Sequence, residues 1–310
     1  MSKAGHFTNK GESYAMGVTF RRYTAQPGYT EDFNKVCDFL IRINHSKVIT
    51  PNYLWARWVW QFGPYMNMEN LSHIGIAEDN GVIVGIATYE NDIGEAFFCI
   101  DDGYSRLKPE FIDYALQNLS HNGEIKITLP DGDLEYQRAA ILKGFIPTTH
   151  KATAAMIDIN CPEYTLPDGY KIISFDDDNF DIERYYNAIW RGFNNQRQRN
   201  EIEIESMKKR EGFDAPHLNL NLRILVVAPN GDYASHCGMW HLSDSDYAYV
   251  EPVFTLPEYR KMGLGKAAVL EGVKRCGKRG AKCAYVLSSQ QFYYSIGFYP
   301  VHNETVWIHR

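Results

Sequence analysis

The stretch "TLPEYRKMGLGKAAV", Thr255 to Val269, packs an arginine, two lysines and a Gly-x-Gly into one turn. Ahead of it, "YAYVEPVFT" (Tyr247 to Thr255) is rich in aromatic and β-branched residues and predicts a strand. Behind it, Leu264, Ala267, Ala268, Val269 and Val273 recur on one helical face, and Gly280 is placed to stop the helix. The two glycines therefore open a helix. Unpaired N–H groups and the helix dipole make that position favourable to an anion, and glycine lets phosphate oxygens approach the backbone. Arg260, Lys261 and Lys266 add positive charge. The competing reading is a plain strand-to-helix turn with solvated cations.

Working outward, the chain is written twice. "GVTFRRY" at Gly17 resembles "GYKIISF" at Gly169, and each leads into a helical pattern. "HIGIAEDNGVIVGIATY" resembles "RILVVAPNGDYASHCGMW", both reading as hairpins with an Asn-Gly turn. "ILKGFIPT" resembles "YSIGFYPV". The paired glycines 17 and 169, 85 and 238, 144 and 297 stand 152 or 153 residues apart, so one register fits three segments. Each copy reads strand, helices, hairpin, strand, helix, strand, helix, strand. That is an α/β (α+β) class fold, a mixed and mostly antiparallel sheet flanked by helices in each of two tandem domains. The expected division is a flexible leader at 1–16, domains at 17–160 and 169–310, and a linker at 161–168, where "CPEYTLPDG" holds two prolines and no periodicity.

Composition narrows the partners. At 310 residues the chain has room for two domains, and its formal charge of −6 lacks the basic footprint of a nucleic-acid binder. No apolar run approaches the roughly 20 residues that span a bilayer, and the N-terminus has no apolar signal core. Cysteines 37, 99, 161, 237, 276 and 283 form no Cys-x-x-Cys pair, so they read as reduced core residues of a cytoplasmic protein, with no metal expected.

Three phosphate motifs compete for the turn. The Walker loop fails, because Lys266 is followed by Ala267 and no upstream glycine matches. Gly263 to Ala268 fits a relaxed dinucleotide form, Gly-x-Gly-x-x-Ala, but the next strand, "CAYVLSSQQ", lacks the acidic residue that would hold a ribose. The third match is the strongest: "VFTLPEYRKMGLGKA" resembles the acyl-coenzyme A signature of the GNAT N-acetyltransferases. Downstream, "FYYSIGFYP" resembles their second motif, a tyrosine four residues before Gly-Phe. The tandem arrangement resembles mycothiol synthase-like members. The resemblance covers residues 168–310 strongly and 17–160 in outline.

This resemblance implies acetyl transfer from acetyl-coenzyme A to a primary amine, by direct transfer in the second domain. It implies that Val253, Phe254 and Thr255 pair with the pantetheine arm like an added strand. It places the segment Lys261, Met262, Gly263, Leu264, Gly265 and Lys266 around the pyrophosphate and puts Arg260 at the opening arginine. Tyr293 falls at the position of the acid that protonates the departing thiolate; Tyr294 is one place off. Glu251 is the candidate base. Simple alternation sets Tyr249, Glu251 and Val253 on one face of the strand and Val250, Pro252 and Phe254 on the other, and an apolar setting would raise its pKa. His236 and His241 are rival bases. A non-catalytic acyl-coenzyme A-binding module is the alternative function. The acceptor, a small-molecule or peptide amine, and the oligomeric state stay open.

The first copy lacks the chemistry. Gly263 and Gly265 map to Glu110 and Ile112, or to Pro109 and Phe111 with Arg106 set against Arg260; Tyr293 maps to Ala140 and Glu251 to Phe98. Its Asp92, Glu95, Asp101 and Asp102 read as a solvated face, or as a field favouring a cationic amine. The polar run from Asn194 to Phe213 reads as a solvated helix, or as a cover over the acceptor cleft.

Overall fold

A computed structural model describes residues 17–62, 66–160, 163–194, 213 and 215–310. Cys161 and nearly all of the polar run between Asn194 and Phe213 lie outside the described residues. The chain forms two compact units. One comprises Met1–Leu40, Met66–Thr148 and Trp307–Arg310, the other Ile41–Tyr65 and Thr149–Val306.

The first unit holds β1 (Val18–Arg22), α1 (Glu31–Asn44) to Leu40, β2 (Gly75–Asp79), β3 (Val82–Thr88) and β4 (Glu95–Ile100). The segment Ile41–Tyr65, with α2 (Trp55–Gln61), stands in the first half of the sequence yet packs in the second unit. After β4 come α3 (Lys108–Asn118), β5 (Ile125–Pro130) and α4 (Leu134–Leu142). Strands β1 to β4 pair antiparallel in order, and β4 runs parallel to β5. Asn80 and Gly81 turn the β2–β3 hairpin at φ of 50° and 80°, the left-handed conformations a tight Asn-Gly turn requires.

The second unit repeats this order. It contains β6 (Ile146–Asp158), β7 (Lys171–Ser174), α5 (Ile182–Gly192), β8 (Arg223–Val227), β9 (Tyr233–His241) and β10 (Tyr247–Thr255). Then follow α6 (Leu264–Lys278), β11 (Cys283–Leu287), α7 (Gln291–Ser295) and β12 (Tyr299–His309). The strand order is β12-β6-β11-β10-β9-β8-β7. Strand β6, the last of the first repeat by sequence, pairs antiparallel with β11 from Asp158↔Cys283 to Ala154↔Leu287.

Period-2 alternation on β8 and β9 splits the core in two. Ile224, Val226, Cys237 and Met239 face α6, where Ala268, Val269 and Val273 meet them. Gly272 allows the close approach: a Cβ there would stand 2.6 Å from Met239 Cγ. Leu225 and Val227 face the other way, toward Tyr185, Tyr186 and Ile189 of α5, and Tyr233 joins them because the β8–β9 ladder shifts register at Val226/Val227. The Asp181 side chain caps α5 by accepting from Arg184 N at 3.0 Å, an interaction worth about 1 kcal/mol. Among the described residues, no helix is long and apolar enough to cross a membrane.

Candidate active site

Strands β10 and β11 run parallel and pair from Tyr247↔Cys283 to Tyr249↔Tyr285, after which they part. The far half of β10 thus has a sheet partner on the β9 side alone. Beside it opens a cleft of about 690 Å³, lined by Val253, Phe254 and Thr255, by the turn Tyr259 to Lys266 apart from Met262, and by Gln290, Phe292, Tyr293, Ser295 and Ile296. Ladder geometry decides which β10 groups reach it. Leu256 N donates to Ala234 O at 2.9 Å, so by alternation Phe254 N–H also points to β9, and Val253 and Thr255 point toward the gap. The Thr255 carbonyl there accepts from Arg260 Nε at 3.1 Å.

At the mouth, Gly263 takes φ 81° as N-cap of α6, and the helix begins without a side-chain cap. Nothing stands within 4 Å of where a Gly263 Cβ would be; at Gly265 a Cβ would come within 2.9 Å of Thr255 Oγ1 and 3.3 Å of the Phe292 ring. Gly263 therefore supplies a conformation, and Gly265 supplies close packing. Lys261 also turns left-handed, at φ 65°. The uncapped N–H groups and the flanking lysines suit a phosphate.

The guanidinium of Arg260 braces this turn. Besides Thr255 O it donates to Asn194 Oδ1 at 2.7 Å and to Gly192 O at 3.4 Å, so it ties the turn to the end of α5. Arg191 pairs with Glu258 alongside. Gly192, Phe193 and Asn194 consequently wall the cleft. Their part is not legible in the sequence, since no local motif marks a helix end folded onto a turn some 60 residues on. Met262 lies outside the lining, its side chain exposed and its sulfur 3.9 Å from the Tyr170 hydroxyl.

Tyr293 sits in the short helix α7, 7% exposed, its ring against Phe292 and Phe298. Burial pushes its phenol pKa up, helped by the charge of Glu251. The phenol therefore stays protonated through neutral and mildly alkaline pH, as a proton donor must.

Glu251 corrects the simple alternation. Val250 faces Met239 and Val253 faces Cys237, so β10 carries one residue more than β9 between them. The bulge flips the parity. Val253 joins Val250 on the α6 side, and Phe254 joins the α5 side. The Glu251 carboxylate accepts from the Tyr249 hydroxyl at 2.9 Å, and the side chain lies outside the cleft lining.

The rival histidines are both buried. His236 Nδ1 donates to Ile224 O at 2.9 Å, and its ring lies among Phe175, Tyr185 and Phe254. Burial, with the nearby Arg223 charge, pushes it down to about 3. His241 Nε2 donates to Ser245 O at 3.0 Å, and burial lowers its pKa also. Neither lines the cleft. Above pH 6.5, His236 is neutral whether folded or unfolded. Below that, the unfolded chain takes up a proton that the folded one refuses, so stability falls with acidification until about pH 3. Urea unfolding from pH 6.5 to 4.5 is expected to show a slope that His236→Phe reduces by about 1.4 kcal/mol per pH unit; equal slopes would contradict the burial effect.

In the first unit aromatic side chains stand at the matching place. Strands β4 and β5 pair at Glu95↔Lys126 and Ala96↔Ile127 and then diverge likewise. Phe98, at the position of Glu251, meets Phe111 edge-on at 6.1 Å between ring centres and Tyr136 at a tilt at 5.6 Å. Helix α3 opens with Pro109, and a carboxylate oxygen of Glu110 is buried in its first turn. Lys108 is held by Asp133 and Glu135.

Residues 182–299 match the model of the acetyltransferase (GNAT) family. No curated protein matches the chain. Among solved structures it is similar to a GCN5-related N-acetyltransferase from Sphaerobacter thermophilus, at 12% identity and TM-score 0.57 over 96% of each chain. A tandem GNAT protein from the clavulanic acid biosynthesis pathway shares 13% identity at TM-score 0.57, over 94% of this chain and 98% of that one. N-myristoyltransferase from Saccharomyces cerevisiae, solved with bound myristoyl-CoA, shares 11% identity at TM-score 0.53, over 97% of this chain and 80% of that one. At these identities the likeness is one of fold.

Proposed function

We propose that this chain, whose residues 182–299 belong to the GNAT acetyltransferase family, moves an acetyl group from acetyl-coenzyme A to a primary amine within its second unit. The observation that carries the reading is one cleft where the unpaired edge of β10, the uncapped start of α6 and the Tyr293 side chain converge. The pantetheine arm would lie along β10 and bond to Val253 and Thr255, the two residues whose backbone faces the gap. The pyrophosphate would sit on the turn from Lys261 to Lys266, which accommodates it because Gly263 leaves open space.

The chemistry then follows. The amine nitrogen, freed of its proton by Glu251 through a water, attacks the thioester carbonyl carbon. Charge gathers on the carbonyl oxygen, where an outward-facing N–H of β10 can stabilise it. As the C–S bond breaks, Tyr293 gives its proton to the leaving thiolate. The amide and coenzyme A are the products. Two buried cysteines close to the helix and the sheet, Cys237 and Cys276, have thiols that burial pushes up, which supports direct transfer over a route through a cysteine.

The experiment is calorimetric titration with acetyl-coenzyme A. The expected result is one ligand per chain, since aromatic side chains occupy the matching place in the first unit. Two ligands per chain would overturn the view of the first unit as silent, and no binding to the folded chain would overturn the acyltransferase assignment.

A further inference from the structure

The bulge at Glu251 and Pro252 is held by residues far from it in sequence. Glu251 and Pro252 together face Gly238, the residue between Cys237 and Met239 on β9. The Glu251 carbonyl accepts from Trp240 Nε1 at 2.8 Å and from Arg223 Nη1 at 3.0 Å. The Arg223 guanidinium carbon lies 4.0 Å from the centre of the Trp240 ring, a close cation–π contact. Arg223 is 4% exposed, and a buried cation is costly unless its donors are well used. Gly238 makes the reach possible, because a Cβ there would stand 2.1 Å from Arg223 Nη1 and 2.5 Å from Glu251 O. On its far side Trp240 meets Trp55 of α2 edge-on, with ring centres 6.0 Å apart. A segment from the first half of the sequence thus buttresses the arrangement.

The consequence lies in strand parity. If the extra residue were lost from the bulge, every side chain and N–H beyond it would turn to the opposite side. Val253 and Thr255 would then point at β9 and Phe254 at the cleft.

We propose that Arg223, seated on Trp240 and reaching past Gly238, is a positioning residue for acyl transfer: it holds the bulge that turns the Val253 and Thr255 N–H groups toward the cleft. This rests on the acyltransferase reading of the second unit. Arg223 is not among the residues that line the cleft. The turn that would hold the pyrophosphate keeps its own contacts, so loss of Arg223 lowers the rate of transfer, which needs an N–H aimed at the oxyanion, more than the binding of acetyl-coenzyme A.

The test uses the full chain with Arg223→Met, Arg223→Lys and Trp240→Phe. Acetyl-coenzyme A binding is read by calorimetry, and thiol release from acetyl-coenzyme A is read with spermidine or glucosamine as probe amine and without an amine. Amide hydrogen exchange is followed along β10 and α6. For Arg223→Met we expect kcat to fall about 100-fold, the penalty of an ångström-scale misplacement, with KM for acetyl-coenzyme A within about threefold. Exchange should quicken at 249–255 and stay unchanged in α6. Arg223→Lys should recover part of the rate, and Trp240→Phe, which keeps a ring and removes one donor, should lose less. Unchanged kcat, or a fall matched by faster exchange throughout the unit, overturns the positioning role. A wild-type chain that does not bind acetyl-coenzyme A overturns the underlying reading instead, and the two failures are told apart by the wild-type titration.

Discussion

Replacing Tyr293 by Phe is expected to lower kcat by about 10²- to 10⁴-fold, the usual worth of a positioned general acid, while acetyl-coenzyme A binds within about threefold of wild type. The ring of Tyr293 packs against Phe292 and Phe298 and lines the cleft. Phe keeps that packing and removes the proton. The direction of the pKa shift sharpens the expectation. Because burial raises the phenol above its ordinary value, with the charge of Glu251 adding to it, the acid stays loaded as pH rises from 6 to 9. The wild-type rate should therefore climb with pH as the amine and its base lose protons, with no falling limb from Tyr293 in that range. A pH–rate profile of both proteins checks this. Equal kcat would show that the thiolate leaves without this acid, and Tyr294 would not replace it without a change of backbone.

The second large effect is expected for Gly265→Glu, which should abolish acetyl-coenzyme A binding, a loss of at least about 100-fold on calorimetric titration. Two causes act together. The first carbon of the new side chain would already be within 2.9 Å of Thr255 Oγ1 and 3.3 Å of Phe292, so the turn must shift. The carboxylate would also stand at a helix N-terminus, where it competes with phosphate for the same N–H groups. Gly263→Ala is the control. It meets no neighbour within 4 Å, and its φ of 81° costs an L-residue about 1–2 kcal/mol. A modest loss there and a complete one at Gly265 would separate backbone conformation from close packing. Equal losses would overturn that separation.

What the sequence determined by itself is local. The strand at 247–255, the turn, the helix opening at Gly263 and the stop near Gly280 depend on residues a few positions apart, and their chemistry can be read in order. The repeat was legible for the same reason, since hairpin turns and strand glycines recur at one spacing, and the order β1-β2-β3-β4-β5 recurs as β7-β8-β9-β10-β11. The pairing of the turn with Tyr293 also came through, because α6, β11 and α7 follow one another directly.

Other features needed the folded chain. Alternation along β10 assigned Val253 to the wrong face, because a bulge is a relation between two strands and leaves no period in either. Arg260 reads as a free cation in sequence; folded, it is spent on Thr255, Gly192 and Asn194. In sequence His236 and His241 are rivals to Glu251 or hydrogen-bonded structural residues alike; burial among rings, seen only in the fold, holds His236 neutral. The packing of Ile41–Tyr65 and of β6 in the second unit follows from long-range pairing. Arg223 stands 28 residues from the carbonyl it holds. Turn chemistry is set by neighbours along the chain, and so it is written there; the facing, burial and partnering of side chains are set by neighbours across the sheet, and only tertiary structure brings those together.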